Sequence, residues 1–165
     1  MGLRINGQAS AQEHFRQGCE ELRGESLERA LAHFRAAHRL DPGCARFRSF
    51  YGLTLGLCER RWERALELCR SAAQEEFFDP VHYQNLARLH LGFGFKAEAI
   101  RLLRRGLMID PGNAEIGAAL RAQGVRRSPP LSFLRRENAL NRWLGKMSER
   151  AGLRSAPEPE PSPTA

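Results

Sequence analysis

Histidines and cysteines are the side chains of this 165-residue chain best suited to chemistry, and their spacing argues against it. Cys19, Cys44, Cys58 and Cys69 include no CxxC pair of the kind that holds zinc or cycles a disulfide. Three of them fall inside helical patterns, where cysteine behaves as a small apolar residue, and a reducing cytoplasm is the expected setting. A structural disulfide or zinc site is the competing reading. The histidines are His14, His33, His38, His82 and His90. His33 and His38 are five residues apart, which puts them on different faces of a helix. The sequence has no HExxH, phosphate loop, nucleophile elbow or dinucleotide glycine pattern. Gly92-Phe93-Gly94 reads as a turn, and Glu75-Glu76 as a solvated helix end. The expectation is a non-enzyme with no cofactor, no metal and no small-molecule substrate.

Charge is concentrated rather than spread. Of the net +7, residues 1–120 contribute +2, residues 121–154 contribute +7 and residues 155–165 contribute −2. The chain is 27% charged and 42% hydrophobic, a balance that supports a folded core. No apolar run approaches the roughly 18–20 residues of a membrane span. Residues 1–7 contain no apolar stretch of the secretory type, and Asn6 leaves the myristoylation pattern incomplete.

The elements that must position these residues are helices in pairs. The clearest pair begins at Asp79-Pro80, a helix cap followed by a proline suited to the first helical position. Tyr83, Leu86-Ala87 and His90 then recur at i, i+3, i+4 and i+7, one helix face. After Gly92 and Gly94 a second run carries Ala99, Leu103 and Gly106-Leu107, and it stops at Asp110-Pro111. An earlier segment opens at Ser10-Ala11-Gln12-Glu13, a capping-box sequence. It continues through Phe15, Gly18-Cys19 and Leu22, then Ala30, Phe34, Ala37 and Asp41-Pro42. Between the two lie Gly52 and Leu55, then Ala65, Cys69 and Ala72, ending at Phe77-Phe78-Asp79-Pro80.

This pattern resembles the tetratricopeptide repeat (TPR), three copies over residues 10–111. The resemblance implies an all-α fold, an α-α superhelix in which small residues let paired helices approach closely and stacking buries what one pair cannot. Cys69 stands where an aromatic is usual, and His90 stands at a large aromatic position, where a packing role is expected. After Pro111 the sequence predicts a capping helix over 114–123. Asn113 is its cap, Gly124 its stop, and Ile116 and Leu120 its buried side. Residues 1–9 are read as an N-terminal extension, and 10–124 as the array with its capping helix. The first helix of each pair would line the concave side. In that register the groove consists of Arg16, Glu20, Arg46, Ser49, Leu53, Gln84, Arg88 and Leu91. Some members of the family grip a partner's C-terminal carboxylate with Lys and Asn. Here only Arg16 and Arg88 could replace the cations, and no Asn is available.

Arg126-Arg127-Ser128-Pro129-Pro130 ends helical structure, and residues 125–154 form a basic amphipathic segment. Phe133 precedes a run in which Leu140, Trp143, Leu144 and Met147 share one helix face. Covering the last repeat, binding a partner and lying on an anionic membrane surface are its candidate roles, in that order. Nucleic acid is disfavoured, because only Phe133 and Trp143 could stack on bases. Residues 155–165 alternate proline with polar residues and read as a disordered tail. The expected function is a cytoplasmic scaffold that binds another protein in the concave groove. The alternatives are a small chaperone of a secretion system, whose central region residues 40–65 loosely resemble, or a membrane-peripheral adaptor using residues 131–151. The sequence leaves the oligomeric state open, since the first helix pair has no obvious polar cap and the array could stack on itself.

Overall fold

The computed structural model describes residues 2–124, with side chains from Ser10 onward, and contains seven helices over that range. They are α1 (Gly2–Arg23), α2 (Leu27–Leu40), α3 (Ala45–Glu59), α4 (Trp62–Glu75), α5 (Pro80–Gly92), α6 (Lys96–Ile109) and α7 (Ala114–Ala122). α1 pairs with α2, α3 with α4, and α5 with α6. Successive pairs stack through α2 on α3, α4 on α5 and α3 on α5, and α7 closes the end of the array against α6. The described part of the chain is thus an all-α helical repeat array.

Two helix starts were readable from chemistry alone. The Asp79 carboxylate accepts the Val81 N–H at 2.9 Å, with Pro80 at the first helical position. The Asn113 side chain accepts the Ile116 N–H at 3.0 Å, and Gly124, at φ +70°, follows the end of α7. The start of the first helix is a correction. Ser10 does not cap it: α1 already runs from Gly2, so Ser10 and Glu13 lie within a continuous helix. Polar residues without apolar periodicity carry no signal for that extra length.

Small residues set how closely the helices approach. A Cβ on Gly18 would sit 2.7 Å from the Phe34 ring, and one on Gly52 would sit 2.8 Å from the Cys69 Sγ. Cys69, where the repeat pattern favours an aromatic, is completely buried between α3 and α4, and its thiol donates to the Ser49 carbonyl at 3.3 Å. Phe15, Phe34, Phe47 and Phe50 fill the space between the first two pairs, with ring centroids 5.0–5.6 Å apart. Leu53, Ala65, Cys69, Leu86 and Leu89 form the centre of the array. Ala87, Ala99, Leu103 and the fully buried Ile116 form its closing layer, and Leu120 packs against them half-buried.

Candidate partner-binding site

The residues expected in the groove divide into two groups. Arg16, Glu20, Arg46 and Arg88 are exposed, and Gln84 and Leu91 are half-buried. Ser49 and Leu53 are not groove residues at all, since both are completely buried. The reason is the position of α3, which packs against α2, α4 and α5 and so has little free surface. Leu53 belongs to the central apolar cluster. Ser49 lies in a buried polar knot: its hydroxyl accepts the Asn85 Nδ2 at 3.1 Å, and its carbonyl accepts the Cys69 thiol at 3.3 Å. Sequence reading missed this knot because Ser49 and Asn85 are 36 residues apart and nothing local marks them as partners.

The exposed polar residues of the inner layer mostly hold one another. Arg16 forms ion pairs with Glu13 at 2.7 Å and with Glu20 one turn on. Arg46 reaches from α3 to Asp79 at the start of α5, at 3.0 Å. Gln84 donates to Glu115 of α7 at 3.1 Å. Arg88 differs from these. Although its side chain is exposed as a whole, the surrounding helices crowd the guanidinium enough to push its pKa below the ordinary arginine value, and Glu115 only partly offsets this. No described carboxylate lies within ion-pairing distance of it. Phe133, Leu140, Trp143, Leu144 and Met147 lie outside the described residues.

Histidines and cysteines take structural places. His90 packs edge-on to Trp62 with centroids 5.1 Å apart, as its aromatic position implied. Burial lowers the pKa of His90 and of His38, which stacks on Tyr51. The buried His82 places Nε2 3.1 Å from Glu76 and 4.0 Å from Asp79. This trio has the composition of a cation site, but Asp79 is already occupied by Arg46 and by the Val81 N–H. Burial raises the Asp79 pKa, yet those two donors outweigh it and hold the carboxyl below its usual range. The trio therefore braces the α4–α5 turn. All four cysteines are unpaired thiols, and burial raises the pKa of Cys19, Cys58 and, most strongly, Cys69.

A second feature lies on the outer side. An open trough of about 430 Å³ runs between α4 and α6, with side chains of α5 as its floor. Tyr83, Leu86 and His90 form the floor, Leu102 and Phe77 form its sides, and Arg70 and Arg105 stand at its edges. Phe77 is half exposed and packs at a tilt against Phe78, which is 73% exposed.

No protein-family model matches the sequence, and no curated protein matches it either. Solved structures do match. The TPR domain of Arabidopsis OM64 is 15% identical, with a TM-score of 0.56, over 71% of this chain and 96% of that one. The first TPR of Spaghetti (RPAP3), bound to an HSP90 peptide, is 15% identical with a TM-score of 0.57, over 71% of this chain and 94% of that one. The second TPR domain of human RPAP3, in complex with an HSP70 peptide, is 16% identical with a TM-score of 0.56, over 74% and 99%. The chain has the tetratricopeptide-repeat fold.

Proposed function

We propose that this protein is an interaction scaffold that holds a segment of a partner protein along the inner layer formed by α1, α3 and α5. Arg88 is the observation that carries this reading. It is a crowded guanidinium in the third helix pair, beside the apolar Leu91, with no described carboxylate as partner. A partner carboxylate would supply the missing charge, and Leu91 offers apolar contact one turn away. Arg16, Glu20, Arg46 and Gln84 would complete the surface. Their present ion pairs, and the hydrogen bond of Gln84, lie at the surface and are readily exchanged for a ligand's. The two RPAP3 domains, of the same fold, carry the peptides SRMEEVD and SGPTIEEVD, which supports reading such an array as a peptide holder.

No catalytic role is proposed: Asp79 caps α5, His82 lies against Glu76, and His90 packs on Trp62. No described helix is long and apolar enough to cross a membrane. Unpaired thiols suit a reducing cytoplasm. The test is affinity capture from native lysate with the full chain and with the double variant Arg88→Glu, Leu91→Asp, each checked for helicity by circular dichroism. The wild type should retain a defined partner and the folded variant should lose it. Equal capture by both would refute the inner-layer site.

A further inference from the structure

We propose that the outer trough between α4 and α6 is a second docking site, and that its occupant is an acidic peptide segment carrying an aromatic or aliphatic anchor residue. The two halves of that description come from two parts of the trough. Its floor is apolar: Leu86 lies between Tyr83 and His90, with Leu102 beside them. His90 adds no charge there, because burial lowers its pKa below the usual histidine value and its Nδ1 is sealed from solvent. Half-exposed Phe77 extends this apolar surface outward. Its backbone is held in place by the Tyr83 hydroxyl, which donates to the Phe77 carbonyl at 3.1 Å.

The edges are cationic. Arg70 and Arg105 are exposed, and neither has a described carboxylate within ion-pairing distance. The acidic residue of the trough, Glu98, is engaged by Arg101 at 3.0 Å. Arg105 is also positioned, with its guanidinium 5.1 Å from the Tyr83 ring centroid. A purely apolar occupant would desolvate two cations without compensation. A purely anionic one would leave Phe77 and the floor in water. A peptide with an apolar anchor between carboxylates satisfies both. The volume lies near the lower end of the roughly 300–1,000 Å³ range of ligand pockets, and the trough is open along one side, which suits a few side chains of a longer chain.

The test is selection of a phage-displayed random peptide library on the full-length protein, followed by fluorescence anisotropy of the recovered peptides. Selected sequences should carry Asp or Glu on both sides of a Phe, Leu or Ile. Their binding should weaken at least about tenfold in the double variant Arg70→Glu, Arg105→Glu and fall as salt is raised. Arg70→Gln, Arg105→Gln should weaken it less, and Phe77→Ser should weaken it without a change in salt dependence. The inner-layer variant Arg88→Glu, Leu91→Asp should leave it unchanged, which separates this site from the one proposed above. Peptides without acidic residues, affinities unmoved by the arginine variants, or no selected peptides at all would overturn the proposal. So would concentration-dependent self-association lost in Phe77→Ser, which would assign the trough to a second copy of this chain.

Discussion

The inner layer and the outer trough are built from the same helix pairs but treat charge differently. On the inner side α3 and α5 are in direct contact, and α7 follows at the end of the array. Side chains therefore bridge from helix to helix, as Arg46 does to Asp79 and Gln84 does to Glu115. On the outer side α4 and α6 both pack on α5 across a gap, and no described ion pair joins them. Arg70 and Arg105 stand over that gap with apolar residues beneath them. One face is therefore largely self-satisfied, and the other carries two arginines whose nearby carboxylate, Glu98, is already paired with Arg101. Arg88 is the exception on the inner side, and it is where the inner layer most resembles the trough.

Five substitutions would break or sharpen this contrast. The largest effect is expected from Leu53→Ala, which should cost about 2–5 kcal/mol in urea denaturation because its side chain is enclosed. Leu91→Ala, on the half-buried part of the inner layer, should cost much less. Equal costs would mean that α3 is not the enclosed helix. Next is Ser49→Ala, which leaves the buried Asn85 amide without its acceptor and should cost about 1–3 kcal/mol. A neutral result would show that Asn85 finds another partner. Acid should act more gently. His38 and His90 have folded-state pKa values below the unfolded value near 6.5, so the unfolded chain binds more protons as pH falls past it. Their stability contribution is complete above about pH 6.5 and is lost as pH drops toward the folded values. His90→Phe should flatten part of that slope in thermal melts taken between pH 7 and 5, and an unchanged slope would exclude His90 as a source. The smallest effect is Arg46→Ala, at or below about 1 kcal/mol, because the pair with Asp79 is exposed on the arginine side. A larger loss would mean the inner layer depends on its ion pairs for more than surface charge balance.

Much of the fold was legible in the spacing of small and large residues. Gly18 opposite Phe34 and Gly52 opposite Cys69 are close approaches that the repeat pattern anticipated in kind. Asp79 and Asn113 announced their helices because caps are local chemistry. Ser49 and Leu53 were misplaced for a different reason. A position on a helix gives its direction, but whether that direction meets water depends on neighbours, and α3 has neighbours on three sides. The extension of α1 to Gly2 had no apolar period to reveal it. The trough was invisible to sequence reading, since Arg70, Phe77, Tyr83 and Arg105 come from four separate stretches.

The most direct test of the central claim is photo-crosslinking of the full chain in lysate, with p-benzoylphenylalanine replacing either Leu91 on the inner layer or the exposed Ala32 on α2. The captured partner should crosslink from position 91 and not from position 32. Crosslinking from position 32 alone would contradict the account and place the partner on the outer layer.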